Sequence, residues 1–221
     1  MLPRRNALSS TRWHQTLAPA AIDIVFGRSR IHLVRARKQR GEPSLMMRLQ
    51  TARLILRCFG EEDVDVMAQL FANPDFMRFS LGVFNERKQT VAFIEKVIGW
   101  DHAGIPSQFA VVPRGKETVI GYCGFLHHPE VPGEVEIGYR LHPDYWNRGL
   151  ITEAARAVRD HAFVDLKLPR VISLIHPENI TSRRVAEKNG MKVEKEITFR
   201  GFPTLVYAIT REQWLGNRDA S

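Results

Sequence analysis

The sequence predicts a mixed α/β (α+β) fold in which a central, mostly antiparallel sheet of about seven strands is flanked by about four helices. Three observations predict it. A strand-like run near residue 50 is followed by two helical patterns, three strand-like runs then succeed one another, and helices alternate with strands in the last third. With 44% hydrophobic and 25% charged residues, the 221-residue chain has the composition of one globular domain.

The first part supplies one strand and two helices. Apolar residues alternate over residues 48–58 and predict the first strand. Acidic residues at 61–63 favour the start of a helix, because they lie at the positive end of its dipole, and Asn73-Pro74 ends that helix. A second helix is predicted over residues 87–101, where apolar side chains recur with helical spacing.

Strands dominate the middle of the chain. They are predicted over residues 107–112, 118–126 and 135–141. The connections at 113–115 and 129–133 contain Pro and Gly, which is compatible with an antiparallel meander.

The last third alternates helices and strands. A helix of about four turns follows Gly149 and stops near Pro169. A second helix begins at the N-cap residue Asn179 and stops at Gly190. The strands of this part are predicted over residues 171–175, 193–199 and 205–210.

The formal net charge of +8 comes from the N-terminal part. Residues 1–48 carry ten basic and two acidic side chains, whereas the remainder carries 22 of each. The domain itself is therefore neutral, and nucleic-acid binding is not expected of it. The sequence predicts a basic, non-core leader at 1–47, a domain at 48–215 and a C-terminal tail at 216–221.

The leader has several interpretations. It resembles a transit peptide, or a basic arm that binds RNA or a membrane surface, and alternatively Met46 or Met47 is the natural start. The apolar piece at 17–26 is too short to span a bilayer. Two cysteines, Cys58 and Cys123, do not make a disulfide framework, so a cytoplasmic location is expected.

The most informative motif is a glycine-bearing turn between a strand and a helix, DYWNRGLITEAA (144–155). The first backbone N–H groups of a helix have no intrahelical partner, and the helix dipole adds positive potential at that end. The motif therefore predicts an anion-binding site of the kind that holds phosphate.

Two further motifs surround this turn, EVEIGYRLHP (134–143) and NITSRRVAEKNGM (179–191). In this order and spacing, the three motifs resemble the GNAT superfamily of N-acetyltransferases, particularly its branch of ribosomal-protein N-terminal acetyltransferases and their small-molecule relatives. The resemblance runs from about Leu49 to Trp214. It implies a GNAT-like fold and an acetyl-CoA-dependent enzyme that transfers an acetyl group directly, in a ternary complex, to a primary amine.

The resemblance also implies how acetyl-CoA binds. The backbone at the end of the 135–141 strand would pair with the pantetheine arm, and the turn would bind the pyrophosphate. The expected contacts are Arg140, Leu141, His142, Asn147, Arg148, Gly149, Leu150, Ile151, Thr152 and Asn179. The family has a small residue where this chain has Ile151, and a β-branched side chain there is expected to crowd the backbone against the pyrophosphate.

Acetyl transfer to an amine requires a free lone pair, a stabilised oxyanion and a proton for the leaving thiolate. Glu136 is the expected base, acting through water, although it could equally be a solvated strand residue. Ser182 is the expected proton donor, although a serine three residues after Asn179 is also ordinary helix-start chemistry. Tyr139 and Tyr207 are reserve donors.

The acceptor is poorly specified, either a protein N-terminal α-amine or a small molecule. Aromatic residues in the regions that line the acceptor cleft of relatives favour an acceptor with an apolar part, although they could equally be core residues; they are Phe76, Phe79, Phe84 and Phe202. His127-His128 lacks a second ligand cluster, so a loop is expected there and no metal site. Two alternatives stay open: a non-catalytic CoA-binding module, and an RNA- or ribosome-associated protein that uses the basic arm. Either a monomer or a homodimer is compatible with the sequence.

Overall fold

In the computed structural model the described residues are 22–26, 29–33 and 48–219, and they contain ten strands and five α-helices. Eight strands form the central sheet: β3 (Arg48–Gln50), β4 (Leu54–Arg57), β5 (Gln108–Pro113), β6 (Gly121–Leu126), β7 (Glu136–Leu141), β8 (Arg170–Ile175), β9 (Lys192–Phe199) and β10 (Phe202–Thr210). Their order is β3-β4-β5-β6-β7-β8-β10-β9, and every neighbouring pair except β7 and β8 is antiparallel. The predicted mixed α/β class is confirmed.

The strand predicted over residues 48–58 is two strands. β3 and β4 pair antiparallel, with Arg48 opposite Arg57. Thr51 closes the turn between them, because its hydroxyl accepts the N–H of Leu54 and its own N–H donates to the Leu54 carbonyl. The buried leucines change from an odd position, Leu49, to even positions, Leu54 and Leu56, across this short turn, so a single alternating strand does not describe the segment.

The N-terminal part contains a hairpin that was not predicted. β1 (Ile22–Phe26) and β2 (Ser29–Leu33) pair antiparallel as a separate two-stranded sheet. The remaining residues of the proposed basic arm lie outside the described part of the chain. A leader at 1–47 therefore stays a prediction, as does the domain boundary at residue 48.

Helices cover both faces of the sheet. They are α1 (Val64–Ala72), α2 (Arg87–His102), α3 (Leu150–Val164), α4 (Ile180–Lys188) and α5 (Arg211–Asp219). Strand β5 shows how the two cores arise, since Phe109 and Val111 pack in the cluster that contains α3, whereas Ala110 and Val112 pack in the cluster that contains α1 and α2. Alternation along the strand thus buries apolar side chains on both faces. Among the described residues, no helix is long and apolar enough to cross a membrane.

Helix α5 extends into the residues predicted as a tail and was not expected as a helix. Its start is a capping box, in which the Gln213 N–H donates to the Thr210 hydroxyl and the Thr210 N–H donates to the Gln213 side chain. Trp214 is buried and packs on Phe163 with ring centroids 5.4 Å apart. The helix thereby joins the core around α3.

Candidate functional site

The site lies where β7 and β8 separate. These parallel strands share one register pair, Glu136 opposite Ile172. Beyond that pair, side chains bridge them: the Ser173 hydroxyl donates to the Ile137 carbonyl at 2.8 Å, and the Leu174 N–H donates to a carboxylate oxygen of Glu136 at 3.1 Å. The gap leaves room between two strands in the middle of the sheet.

Three adjoining cavities among the described residues occupy this gap. The central cavity has about 130 Å³, the large cavity about 600 Å³ and the small cavity about 160 Å³. The central cavity shares Glu136 and His176 with the large one, and Tyr139 and Ser182 with the small one. Because their walls are shared, the cavities adjoin one another and are together called the passage; the small cavity lies beside α3 and α4, and the large cavity beside β9 and β10.

Glu136 stands at the junction of the central and large cavities. Its side chain is buried, with 7% of the residue exposed. One carboxylate oxygen accepts from Leu174, and the other lies 2.5 Å from Nε2 of His128. The imidazole in turn packs edge-on against Phe199, with ring centroids 5.1 Å apart. The carboxylate is thus held on both sides rather than solvated.

His128 is a site residue, although its sequence context predicts only a loop. It follows β6 by two residues, and β6 pairs with β7 so that Leu126 lies opposite Glu136. The hairpin register therefore brings the end of the loop back to the carboxylate. Predicting the register of the β6–β7 hairpin from the sequence would have placed His128 close to Glu136.

The start of α4 closes the other side of the central cavity. Asn179 caps the helix as predicted, with its side-chain oxygen accepting the Ser182 N–H at 3.1 Å. The Tyr139 hydroxyl donates to the Ser182 carbonyl at 3.1 Å, and burial raises the pKa of Tyr139. Tyr139 therefore stays protonated near neutral pH and donates a hydrogen bond at this wall.

Tyr207, the other reserve donor, lies outside the three cavities. Its hydroxyl donates to the Glu187 carboxylate at 3.1 Å and accepts from Nε of Arg183 at 3.2 Å. The residue is 1% exposed and packs in the core. Of the two tyrosines, only Tyr139 borders the passage.

The carboxyl end of β7 directs backbone groups into the gap. The His142 N–H donates to the Ile120 carbonyl at 2.7 Å, toward β6. Because alternate residues of a strand turn their backbone groups to opposite sides, those of Tyr139 and Leu141 face β8. The Leu141 carbonyl accepts from the indole nitrogen of Trp146 at 2.6 Å, which attaches the following turn to the strand.

The glycine-bearing turn opens α3 at the small-cavity end. Asn147 and Gly149 both have positive φ angles, 57° and 72°, and Gly149 is the N-cap residue. The first helical hydrogen bond runs from the Glu153 N–H to the Gly149 carbonyl, at 3.1 Å. The N–H groups of residues 150–152 precede it and have no intrahelical acceptor.

Arg53 supports this turn and was missed by the sequence analysis. Its guanidinium donates to the Arg148 carbonyl at 2.9 Å and to the Glu153 carboxylate at 2.7 Å. Burial raises the pKa of Glu153, but hydrogen bonds from Thr51 and Arg53 outweigh it and leave the pKa lowered. Arg53 and Glu153 are 100 residues apart in sequence, so no local pattern indicates their contact.

Comparison with known proteins decides the family. A sequence model described as an acetyltransferase (GNAT) domain matches residues 53–192. The chain belongs to the GNAT acetyltransferase family. The uncharacterized N-acetyltransferase YnaD of Bacillus subtilis is 33% identical over 177 residues, which cover 76% of this chain and 99% of that protein.

Solved GNAT structures have the same fold. A GNAT acetyltransferase from Bacillus anthracis is 30% identical with a TM-score of 0.65, and the match covers 75% of this chain and 99% of that one. The ribosomal L7/L12 α-N-protein acetyltransferase RimL, solved in complex with coenzyme A, superposes with a TM-score of 0.63, and the match covers 72% of this chain and 95% of the RimL chain. At 19% sequence identity, this likeness shows the fold alone.

GNAT enzymes use acetyl-CoA as co-substrate, and this chain is an N-acetyltransferase. The structure brings many of the expected site residues to the passage; those that line it are Glu136, Arg140, Leu141, Ile151, Asn179 and Ser182. Others lie at the turn and the first turn of α3, beside the small cavity; they are Asn147, Arg148, Gly149, Leu150 and Thr152. His142 directs its N–H toward β6 instead.

Proposed function

We propose that this GNAT protein transfers the acetyl group of acetyl-CoA directly to a primary amine within a ternary complex. The observation that carries the proposal is the group of adjoining cavities where β7 and β8 separate, in which the small cavity lies beside the start of α3 and shares walls with the 600 Å³ cavity. Two substrates bound in the small and large cavities would meet beside the central cavity, so transfer requires no intermediate on the protein.

The residues at the small-cavity end fit acetyl-CoA, which supplies the acetyl thioester. Backbone N–H groups of residues 150–152 and the exposed Arg148 side chain suit the pyrophosphate, since both favour an anion. The backbone groups of Tyr139 and Leu141 suit the amide groups of pantetheine. The proposed cofactor contacts therefore follow β7 from the turn to the central cavity.

The large cavity suits the amine. Its wall combines aromatic rings, among them Phe79, Phe199 and Phe202, with Glu136 at its inner end. The apolar rings suit an acceptor with an apolar part, either a protein N-terminus or a small amine. We propose that the protonated amine gives up its proton at the pair of Glu136 and His128, which lies where this cavity meets the central one.

The leaving thiolate requires a proton on the other side of the central cavity. Ser182 lines the central and small cavities there, on the first turn of α4. Tyr139 holds the same turn through the Ser182 carbonyl. We propose Ser182 as the donor, with Tyr139 as the residue that positions it.

Binding and transfer test the proposal separately. Calorimetry is expected to show binding of acetyl-CoA, and mass spectrometry of an acceptor panel that includes peptides and small amines is expected to show acetylated product. Glu136→Gln should bind acetyl-CoA as the wild type does and lose about 100-fold in kcat, the usual contribution of acid–base catalysis. Absence of binding at millimolar acetyl-CoA would contradict the proposed function.

Ile151→Ala tests the position of the turn. The Ile151 side chain is partly buried, packs against the α3 core and lines the small cavity. Removing it relieves crowding at the proposed pyrophosphate site, so the Kd for CoA should fall or stay unchanged. A fully buried Ile→Ala substitution lowers the free energy of unfolding by about 2–5 kcal/mol, and we expect a smaller loss at this partly buried position. Val164→Ala, at the far end of α3 in the same core, is the matched control. A clear loss of CoA affinity in Ile151→Ala alone would show that the turn does not bind the pyrophosphate in this way.

A further inference from the structure

We propose that His128 is the catalytic base of this enzyme and that Glu136 orients it. The inference rests on the proposed function, because it names the group that receives the proton of the acceptor amine. It reverses the role that the sequence gave to Glu136. The contacts of the two side chains carry it.

Both carboxylate oxygens of Glu136 are already engaged. One accepts the Leu174 N–H and the other faces Nε2 of His128 at 2.5 Å. A carboxylate only accepts hydrogen bonds, so Nε2 carries the proton in this contact. Glu136 is therefore positioned to fix the tautomer and the orientation of the imidazole. In many enzymes a carboxylate orients the histidine that acts as general base in the same way.

His128 has a second ring nitrogen to offer. With the proton on Nε2, Nδ1 carries a lone pair, and among the described residues no hydrogen bond engages it. The residue lines the large cavity, where the acceptor is proposed to bind. Imidazole is also the side chain that most often acts as a general base in enzymes.

The surroundings hold the ring in place. Phe199 on β9 packs edge-on against it, and Glu136 on β7 fixes Nε2. Glu130, in the same loop, interacts electrostatically with the imidazole and pairs at 2.9 Å with Arg200, at the turn after β9; the large cavity also contains Arg78, Arg140 and Glu178. The imidazole is thus oriented by one carboxylate, while the second nearby carboxylate has its own partner.

The proton balance is complete with these groups. Nδ1 of His128 takes one proton from the acceptor ammonium, and the resulting imidazolium is stabilised by the Glu136 carboxylate. The free amine forms the new N–C bond as the C–S bond breaks, and its second proton passes to the departing sulfur, directly or through Ser182. His128 then returns its proton to solvent, so the products are amide, thiol and one proton.

Chemical rescue tests the assignment on the full-length protein with the best acceptor of the panel. His128→Ala and His128→Gln are both expected to lose about 100-fold in kcat with unchanged Kd for CoA. His128→Gln can still donate to Glu136, so it controls for loss of loop structure. Added imidazole should restore His128→Ala by about tenfold, a fraction of the acid–base contribution, and should not restore Glu136→Gln.

His127→Ala is the matched control. His127 is the adjacent residue, with Nε2 bonded to the Pro106 carbonyl and its ring against Trp100, outside the large cavity. Its kcat should stay close to that of the wild type. A kcat of His128→Ala equal to that of the wild type would overturn the inference. It would also be overturned if imidazole did not restore His128→Ala while formate restored Glu136→Ala, because Glu136 would then be the base. An inactive wild-type protein would instead overturn the proposed function, and the inference with it.

Discussion

Arg140→Ala is expected to lower the free energy of unfolding by about 2–4 kcal/mol and to reduce kcat/KM by about 100-fold or more. The guanidinium donates to the Tyr122 hydroxyl at 2.8 Å and to the Phe76 carbonyl at 2.9 Å, with a longer contact to the Phe79 carbonyl at 3.4 Å. It therefore attaches the segment after α1 to the centre of the sheet. Phe79 and Arg140 both line all three cavities, so loss of this attachment would displace a wall of the whole passage.

Hydrogen exchange and steady-state kinetics would check this result. Amides of residues 76–80 should exchange faster in Arg140→Ala, because their anchor is gone. Arg78→Ala is the matched control, since Arg78 is exposed and stacks over Phe79 at 5.5 Å. It should change the free energy of unfolding by no more than about 0.5 kcal/mol, as most surface substitutions do. Equal effects of the two substitutions would contradict the anchoring role.

Gly149→Val is expected to weaken CoA binding by about tenfold or more, the equivalent of losing at least 1.4 kcal/mol of binding free energy. Gly149 has φ of 72° as the N-cap residue of α3. A β-branched residue strongly disfavours this left-handed conformation, at a cost of about 1–3 kcal/mol. The turn would relax toward negative φ, and the N–H groups of residues 150–152 would no longer converge on the proposed pyrophosphate site.

The position has room for a Cβ atom, so the backbone conformation is the main reason for this effect. A Cβ atom on Gly149 would meet a nitrogen of Arg53 at an ordinary contact distance of 3.6 Å. Gly115→Val provides the control, because Gly115 has φ of 77°, open space around it and a position in the turn after β5. Both variants should lose stability, and only Gly149→Val should lose affinity in calorimetry. Equal affinities would show that the conformation of the turn does not contribute to binding.

Local signals made the helix starts predictable from sequence. Asn179 and Ser182 lie three residues apart, and the cap forms as the spacing indicates. The turn at Gly149 was equally predictable, because a strand, a glycine and an amphipathic helix follow one another in the sequence. The capping box of Thr210 and Gln213 carried the same kind of signal for α5 and was overlooked.

The partners of the site residues were not predictable, because they depend on tertiary contacts. Arg53 reaches the turn of α3 from a loop 95 residues earlier, at the Arg148 carbonyl. The sequence indicated a backbone role for Arg140, whereas its side chain anchors a distant segment. For Glu136, alternation indicated which face it shares but could not say that His128 and Leu174 would occupy both oxygens.

The single register pair between β7 and β8 leaves the sheet incomplete at its centre, and this has a thermodynamic consequence. The free protein keeps backbone groups in the gap that no neighbouring strand pairs, and a ligand that bridges them binds only the folded state, which it stabilises to an extent that grows with the ratio of its concentration to its Kd. At a concentration a hundred times its Kd, such a ligand raises the free energy of unfolding by about 2.7 kcal/mol. If acetyl-CoA is that ligand, the melting temperature of this acetyltransferase would rise with the concentration of acetyl-CoA in its surroundings.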